Sequence, residues 1–270
     1  MDKITRWNRL VEMLTAAEGG RLSIDEVVQQ LNVSAATVRR DFDELAEQQL
    51  LVRTRGGALA NGVSFDLPLR YKAGRHPSEK HWIAAAAAGL VSPGQVVGLN
   101  GGTTTTEVAR ELGKRHRRMG ERGEPVMTIV TNALNIAHEL TLLPQLKVVV
   151  LGGVARPQSY ELTGPLAATL LKEISLDVAI LGVDAIDAAT GASAHHEGEA
   201  SINQYMGGRA EQVVIVADGS KVGRAAFARI LPIDRIDILV TDSSAPAEAL
   251  RAIEARGCKV VLAESGDDTT

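Results

Sequence analysis

The stretch NVSAATVRRDF, residues 32–42, decides how the N-terminal region folds. Ser34 has a hydroxyl suited to cap a helix, so a helix is predicted to begin directly after it. Val38, Phe42 and Leu45 recur at helical spacing and form the predicted inward face of this helix. The small, hydroxyl-bearing and cationic side chains near its start are predicted to project outward: Ala35, Ala36, Thr37, Arg39 and Arg40.

Two further helices are predicted upstream of this stretch. Apolar residues at helical spacing place the first at about 3–17. The second begins after Ser23, because Ser23 and Glu26 have the spacing of a capping box. Three short helices, with a tight turn before the third and the basic segment LLVRTRGGAL at 50–59 after it, are typical of a winged helix-turn-helix. We predict this fold for residues 1–59.

Such a surface suits double-stranded DNA. Small side chains let a helix tip approach the major groove, and hydroxyls with backbone N–H groups can bind phosphate oxygens. Arginines can bind phosphates or the acceptor edge of guanine. The predicted DNA-binding residues lie on the third helix and on the wing: Ser34, Ala35, Ala36, Thr37, Arg39, Arg40, Arg53 and Arg55.

The charge pattern favours this interpretation by its distribution. The chain has a formal net charge of −4, and residues 1–60 carry eight Lys/Arg against nine Asp/Glu. The segments 34–40 and 50–59 each contain two cations and no acid. The acids of 41–47 are predicted to lie on the far face of the helix. Positive charge is therefore concentrated where DNA would bind.

Composition excludes several other classes of protein. A single cysteine, Cys258, excludes an internal disulfide framework and a multi-cysteine zinc site. No apolar run is long enough to span a membrane, and the first ten residues lack the apolar core of a signal peptide. We therefore expect a cytoplasmic protein that does not bind membranes.

A second, larger region follows a predicted linker at 60–77. Ser78 is expected to cap an alanine-rich helix that opens a domain at 78–270. Strand-like and helix-like segments then alternate, which predicts a mainly parallel α/β sheet covered by helices on both faces. The predicted strands are VVGL, VMTIV, KVVVL, DVAILGV, QVVIVAD, DILVTD and KVVLA. The predicted helices lie at about 104–118, 133–143, 165–174, 199–211 and 246–256.

Polar residues and glycines follow several of these strands. In parallel sheets, ligands bind beyond the carboxyl ends of the strands. Glycine backbone N–H groups, threonine hydroxyls, a helix N-terminus and a lysine can together bind an anion, and amide or carboxylate groups can bind sugar hydroxyls. A phosphorylated polyol fits this set. The predicted effector-binding residues are Asn100, Gly102, Thr103, Thr104, Thr105, Thr131, Asn132, Gly152, Gly153, Asp184 and Lys221.

Other ligands are not indicated. The sequence has no Walker loop and no G-x-G-x-x-G, so we predict no nucleotide cofactor, and no other cofactor is expected. His195, His196 and Glu197 are more typical of a polar loop than of a metal site, and no metal is predicted.

Long motifs in both regions resemble the DeoR family of bacterial transcriptional regulators. VSAATVRRDFDEL with the following RTRGGA is similar to the family's recognition helix and wing. VTNALNIAHEL, TGPLA, DVAILGVDAID and VVIVADGSKVGRAAFARILPIDRIDILVTD are similar to its effector-sensing domain. The sequence departs from the family at Asn100-Gly101, where Asp-Ser is frequent.

This resemblance implies a regulator of carbohydrate utilisation, most simply a repressor, and not an enzyme. It implies a sensor domain that binds phosphorylated sugars or related metabolites and resembles ribose-5-phosphate isomerase in fold. It assigns effector contacts to 102–105, Thr131, Asn132, Gly152-Gly153, Asp184 and Lys221. Expected partners are operator DNA, a phosphorylated sugar and further copies of the chain, in a dimer or tetramer, because one winged domain binds too little DNA surface.

A sugar-phosphate isomerase is the alternative. Aldose–ketose isomerisation requires a carboxylate base beside the substrate carbon. The isomerases that resemble this fold have an acid where Leu181 stands, followed by a Lys-Gly-Gly-Gly loop, and the sequence contains neither. Glu197 and Glu199 are the remaining candidate bases. The sequence therefore favours the regulator.

Overall fold

A computed structural model of the chain describes residues 1–17, 20–48, 50–60, 68–72, 74–116 and 126–264. It divides into two compact units, Met1–Arg75 and His76–Thr270. Each unit encloses a hydrophobic core of its own. The predicted linker contains this boundary and also a short helix.

The described part of the first unit contains helices α1 Lys3–Ala16, α2 Ile24–Leu31, α3 Ala35–Glu47 and α4 Leu69–Lys72, and strands β1 Arg21–Ser23, β2 Val52–Thr54 and β3 Gly57–Leu59. The caps explain where the helices begin. Asp2 accepts a hydrogen bond from the Thr5 N–H at 3.0 Å, and Ser23 forms the predicted capping box with Glu26. The three predicted helices are confirmed.

The inward face of α3 is also as predicted. Val38, Phe42 and Leu45 are fully buried and pack in the core of the first unit. Phe42 and Leu45 pack there with apolar side chains from α1, including Leu10 and Leu14. The hydrophobic stripe of α3 therefore fixes which residues it presents outward.

The wing is a three-stranded antiparallel sheet with the order β1-β3-β2. The segment 50–59, predicted as the wing, contains β2 and β3, whereas β1, which pairs Leu22 with Ala58, was not predicted. Gly57 lies where the two strands approach most closely. A Cβ added at Gly57 would lie 2.0 Å from the Leu22 carbonyl oxygen, so only glycine fits. The neighbouring Gly56 has open space around it.

The second unit is built on seven parallel strands. Its described strands are β4 Val96–Leu99, β5 Met127–Thr131, β6 Leu146–Val150, β7 Val154–Ala155, β8 Leu162–Thr163, β9 Leu176–Gly182, β10 Ala185–Asp187, β11 Gly191–Ala194, β12 Ala210–Val216, β13 Ala228–Leu231, β14 Ile238–Asp242 and β15 Lys259–Ala263. Its described helices are α5 Pro77–Ala88, α6 Thr103–His116, α7 Leu134–Thr141, α8 Pro165–Lys172, α9 Glu197–Gly208 and α10 Ala247–Glu254. The seven predicted strands are the seven strands of the sheet, in the order β15-β14-β12-β9-β4-β5-β6.

Hydrophobic cores cover both faces of this sheet. Side chains alternate between faces along a strand, and in β9 Ala179 and Leu181 belong to one core while Val178 and Ile180 belong to the other. Nearly continuous apolar strands are required for burial on both faces. The predicted parallel α/β fold is confirmed.

Two local features differ from expectation. The alanine-rich helix α5 begins at Pro77, with His76 as its N-cap residue and no side-chain cap, so the prediction that Ser78 caps it was wrong. Proline suits the first helical position because its missing N–H would have no helical partner there. The short strands β7, β8, β10, β11 and β13 form two small additional sheets that the pattern did not predict.

The strand order places a switch point in the middle of the sheet. The chain enters at β4, adds β5 and β6 on one side, and then adds β9, β12, β14 and β15 on the other. Open α/β sheets bind ligands in a crevice at such a point, which in this order lies beyond the carboxyl ends of β4 and β9; we call this location the switch-point crevice. None of the described helices is sufficiently long and apolar to cross a membrane.

Candidate functional site

The N-terminal tip of α3 presents small and polar groups. The Ser34 hydroxyl accepts the Thr37 N–H at 3.2 Å, and the two hydroxyl oxygens lie 2.9 Å apart. Ala36 is exposed, but Ala35 is half-buried and packs against the core of the unit. The prediction that Ala35 projects freely outward was therefore wrong, whereas Ala36 matches it.

Three of the four arginines predicted to contact DNA are exposed. Arg39 and Arg40 are exposed on α3, and Arg55 is exposed in the turn between β2 and β3. Within the described residues, none of the three has an acidic partner within ion-pair distance. Their guanidinium groups are available to an external anion.

Arg53 is placed differently from Arg55. Its Nε lies 2.8 Å from Asp43 Oδ1, its Nη1 donates to the Gly57 carbonyl at 3.2 Å, and its guanidinium lies 5.6 Å from the centre of the Phe42 ring. These contacts join the wing to α3. Arg53 therefore orients the wing, in addition to adding positive charge to it.

Asp41 links the recognition-type helix to α1. Only 2% of it is exposed, and its carboxylate accepts hydrogen bonds from Arg6 Nε at 2.5 Å, Arg6 Nη2 at 2.9 Å and Trp7 Nε1 at 2.8 Å. The hydrogen bond to Asp41 raises the pKa of Arg6. The sequence did not predict that Asp41 is buried, because its partners Arg6 and Trp7 lie on a different helix.

In the second unit, Asn100 closes the end of the switch-point crevice. Its side-chain Nδ2 donates to the Gly182 carbonyl at 2.9 Å, and its Oδ1 accepts the Gly182 N–H at 2.8 Å. These two bonds join the ends of β4 and β9. Asn100 therefore holds the two strand ends at a fixed separation.

The loop after β4 leads into α6 through a glycine whose backbone conformation would be strained for other residues. Gly102 has φ +144°, a value that L side chains rarely adopt. The hydroxyls of Thr105 and Thr106 donate to its carbonyl oxygen at 3.1 and 2.7 Å. Thr104 Oγ1 is buried and has no hydrogen-bond partner within the described residues. The loop is thus held from inside, and Thr103 begins the helix that follows it.

Asn132 and Glu161 form a buried pair beside this loop. Asn132 is fully buried, and its Nδ2 donates to Glu161 Oε2 at 2.9 Å and to the Leu162 carbonyl at 3.2 Å. Thr131 Oγ1 accepts the Ala133 N–H at 3.1 Å. Sequence reasoning did not identify Glu161, because it lies in the turn of the short β7–β8 hairpin, which carries no strand pattern.

The two glycines after β6 have different surroundings. A Cβ added at Gly153, which has φ +142°, would lie 2.6 Å from the Thr163 carbonyl oxygen. Gly152 is exposed and has open space around it. Gly153 therefore accounts for the packing of β7 against β8, and Gly152 remains open to a ligand.

Lys221 and Asp184 lie at the end of β9. Lys221 Nζ donates to the Val183 carbonyl at 2.7 Å, and Asp184 Oδ2 accepts the His195 N–H at 2.9 Å. Burial by itself raises the pKa of Asp218. The positive charge of Lys221 and a hydrogen bond from Ser220 lower that pKa by more, so the net shift is downward. Within the described chain, no three His, Cys, Asp or Glu side chains form a group that could hold a metal ion.

A winged helix-turn-helix with exposed arginines, in one chain with an α/β unit that has polar residues at its switch point, defines a DNA-binding regulator with a small-molecule sensor. Two family models match the sequence accordingly: the DeoR-like helix-turn-helix domain over residues 6–62 and the DeoR C terminal sensor domain over residues 75–243. The chain belongs to the DeoR family of transcriptional regulators. As a member of that family it is a regulator and not an enzyme.

Relatives of known name cover almost the whole chain. A putative aga operon transcriptional repressor of Escherichia coli O157:H7 is 33% identical over 90% of this chain and 88% of its own. An HTH-type transcriptional regulator, GlpR, of Haloferax volcanii is 32% identical over 95% and 96%. The glycerol-3-phosphate regulon repressor of Escherichia coli K12 is 28% identical over 94% and 96%.

Solved structures with a similar fold include ribose 5-phosphate isomerase A of Methanocaldococcus jannaschii. It is 22% identical, covers 53% of this chain and 52% of its own, and superposes with a TM-score of 0.39. At that TM-score the likeness adds nothing to the fold described above.

Proposed function

We propose that the protein represses a carbohydrate-utilisation operon and that a phosphorylated sugar or related metabolite controls its binding to operator DNA. The observation that carries the DNA-binding half of this proposal is that Arg39 and Arg40 are exposed near the start of α3 and have no acidic partner among the described residues. The names of the relatives, repressors of an aga operon and of a glycerol-3-phosphate regulon, support the regulated class of gene.

The exposure and chemistry of these side chains support the proposed DNA contacts. Ser34, Thr37 and the first backbone N–H groups of α3 would bind phosphates, Ala36 would allow close approach, and Arg39 and Arg40 would bind phosphates or guanine. At the wing, Arg55 would bind the DNA backbone while Arg53 holds the wing in position.

The sensor half is assigned to the switch-point crevice. Asn100, Gly102 and 103–105 would receive the anionic group, because the loop lies at the N-terminus of α6. Lys221 adds a positive charge on the β12 side. Asn132 and Asp184 would bind hydroxyl groups, and Gly152 leaves room at the β6 side. Thr131 and Gly153 would contribute by shaping the backbone.

We further propose that the protein acts as a homo-oligomer in the cytoplasm. One winged domain buries about 600–1,000 Å² on DNA, which is at the lower limit for specific binding. A second copy presents a second reading helix to a repeated or inverted half-site. Light scattering of the protein with and without operator DNA measures the number of copies.

The test of DNA recognition is the double variant Arg39→Ala/Arg40→Ala. Operator DNA is first selected from a random pool with the unmodified protein. We expect the double variant to bind it about 100-fold more weakly, since each lost base contact costs about 1–3 kcal/mol. The control, Arg251→Ala/Arg256→Ala, removes the same charge from exposed positions of the second unit. Equal affinities of both variants would contradict the assigned surface.

The test of sensing is a thermal-shift screen with phosphorylated sugars, followed by operator binding with each ligand that stabilises the protein. Ligand at 100 times its Kd stabilises a protein by about 2.7 kcal/mol. We expect Lys221→Ala to lose the stabilisation and the effector-dependent change in operator affinity, while operator affinity without ligand stays unchanged. A screen without any stabilising ligand would contradict the sensor proposal.

A further inference from the structure

We propose that Glu161 selects the effector by accepting a hydrogen bond from a donor group of the ligand, a hydroxyl or an ammonium, placed away from the anionic group. This inference rests on the proposed sensing function and extends it. Glu161 is not among the residues that the sequence predicted, and the position of its carboxylate carries the argument.

The carboxylate of Glu161 lies directly against the loop proposed to bind the anion. A Cβ added at Gly101 would lie 2.3 Å from Glu161 Cγ and 2.6 Å from Oε1. The Glu161 side chain therefore occupies the space that any side chain at position 101 would need. Gly101 and Glu161 therefore form a matched pair, in which the absence of a side chain at position 101 leaves room for the Glu161 side chain.

Glu161 also fixes the orientation of Asn132. The Asn132 amide donates both to Glu161 and to the Leu162 carbonyl, so its Oδ1 faces away from these two acceptors. That oxygen is buried and accepts no hydrogen bond within the described residues. Thr104 Oγ1 is likewise buried and has no hydrogen-bond partner within them. A buried acceptor without a donor is costly, and a ligand that brings a donor group removes this cost.

The hairpin that carries Glu161 is held in place. The Arg156 N–H donates to the Glu161 carbonyl at 2.8 Å, and Arg156 Nη1 lies 3.0 Å from Glu199 Oε1 at the start of α9. Both side chains of this ion pair are largely buried. Glu161 is thus positioned before the ligand arrives, which is the condition for selectivity.

The charge of Glu161 determines which ligands the crevice accepts. A carboxylate beside an anion-binding loop repels a bare phosphate at close range. A ligand that separates its phosphate from a hydroxyl or ammonium satisfies both groups at once. The chemical class is therefore a phosphorylated polyol or amino sugar, and inorganic phosphate is a poor ligand.

The test compares Glu161→Gln with the unmodified protein by titration calorimetry. The probes are inorganic phosphate, glycerol 3-phosphate, and phosphorylated pentoses, hexoses and hexosamines, including glucose 6-phosphate and glucosamine 6-phosphate as a matched pair. Glutamine has the same shape, so packing against Gly101 is kept. The control is Glu197→Gln, which removes an exposed carboxylate from the first turn of α9.

We expect Glu161→Gln to weaken the best organic phosphate by about 10-fold or more, because hydrogen bonds to charged groups are strong, and to leave inorganic phosphate as tight or tighter. If the substitution reduces the affinity for glucosamine 6-phosphate more than that for glucose 6-phosphate, the partner of Glu161 is an ammonium group. If it reduces both affinities equally, the partner is a hydroxyl. An unchanged ratio of organic to inorganic phosphate affinity, with only a lower melting temperature, would overturn the inference and leave Glu161 a packing residue. If the unmodified protein binds none of the probes, the sensing function itself is wrong.

Discussion

Asp41 shows how one buried side chain can orient a DNA-binding helix. Its carboxylate accepts hydrogen bonds from the Arg6 guanidinium and the Trp7 indole, so α1 and α3 are joined by charge as well as by apolar contact. Removing the charge of this buried acid destabilises the fold, because the partly buried Arg6 guanidinium then has no counter-ion there.

We expect Asp41→Asn to lower the free energy of unfolding of the first unit by about 3 kcal/mol. The measurement is urea unfolding followed by Trp7 fluorescence in a Trp82→Phe background. Asp43→Asn is the control, because the Asp43 side chain is 60% exposed and its ion pair with Arg53 is worth about 1 kcal/mol or less. Equal effects of the two substitutions would mean that the Asp41 network adds no stability.

For single residues, the sequence predicted the positions of exposed side chains better than those of buried polar ones. Arg39 and Arg40 follow directly from helical spacing, because the positions of Val38 and Phe42 fix the inward face. Asp41 lies next to that face, and nothing local tells that α1 supplies Arg6 as its partner. Glu161 was missed for the same reason, since Gly101 and Asn132 are distant from it in sequence.

The wing is the element in which a single glycine decides the pairing. Gly57 lies against the Leu22 carbonyl oxygen in the β1–β3 pair, and a Cβ there would overlap it. Gly56 in the same motif faces open space. The two adjacent glycines therefore have unequal roles.

We expect Gly57→Ala to separate β1 from β3 and to lower the melting temperature of the first unit, with a cost of about 2 kcal/mol or more, because the new Cβ overlaps the Leu22 carbonyl oxygen. Gly56→Ala is expected to change stability by about 0.5 kcal/mol or less. Calorimetry of the two variants tests this. A tolerated Gly57→Ala would show that β1 is not essential to the wing.

Elements with a strong apolar pattern were predictable and short ones were not. The strands of the large sheet are mostly apolar because hydrophobic cores cover both faces of the sheet. The strand β1 has only three residues, Arg21–Ser23, and forms because the wing returns beside it. The start of α5 was misplaced by two residues, since its N-cap is His76 and proline at its first position replaces the side-chain cap expected from Ser78.

For the whole molecule, several carboxyls with lowered pKa predict acid sensitivity. The hydrogen bond from Arg110 lowers the pKa of Glu139, and hydrogen bonds involving Thr190 and Ala189 outweigh burial and lower that of Asp187. The pKa of Asp218 is also lowered, by Lys221 and Ser220, as described above. A carboxyl whose pKa is lower in the folded chain binds protons more tightly when unfolded, so it stabilises the fold above its ordinary pKa of about 4.

We therefore expect the free energy of unfolding to be nearly constant from about pH 7 to pH 5 as far as these groups are concerned, and to fall as the pH drops below about 4. Glu139→Gln/Asp187→Asn should lower stability at pH 7 and make the decline in acid shallower. Urea unfolding between pH 3 and pH 7 measures both. A decline of equal steepness in the double variant would assign the acid sensitivity to other groups.

The separate hydrophobic cores of the two units make the chain a candidate for domain exchange. The first 75 residues enclose their own apolar interior, and the remaining residues enclose theirs. A chimera cut between Arg75 and His76 would keep both interiors intact, so the reading head of one regulator could be fused to the crevice of another. Such a fusion would combine the operator specificity of one regulator with the effector specificity of another.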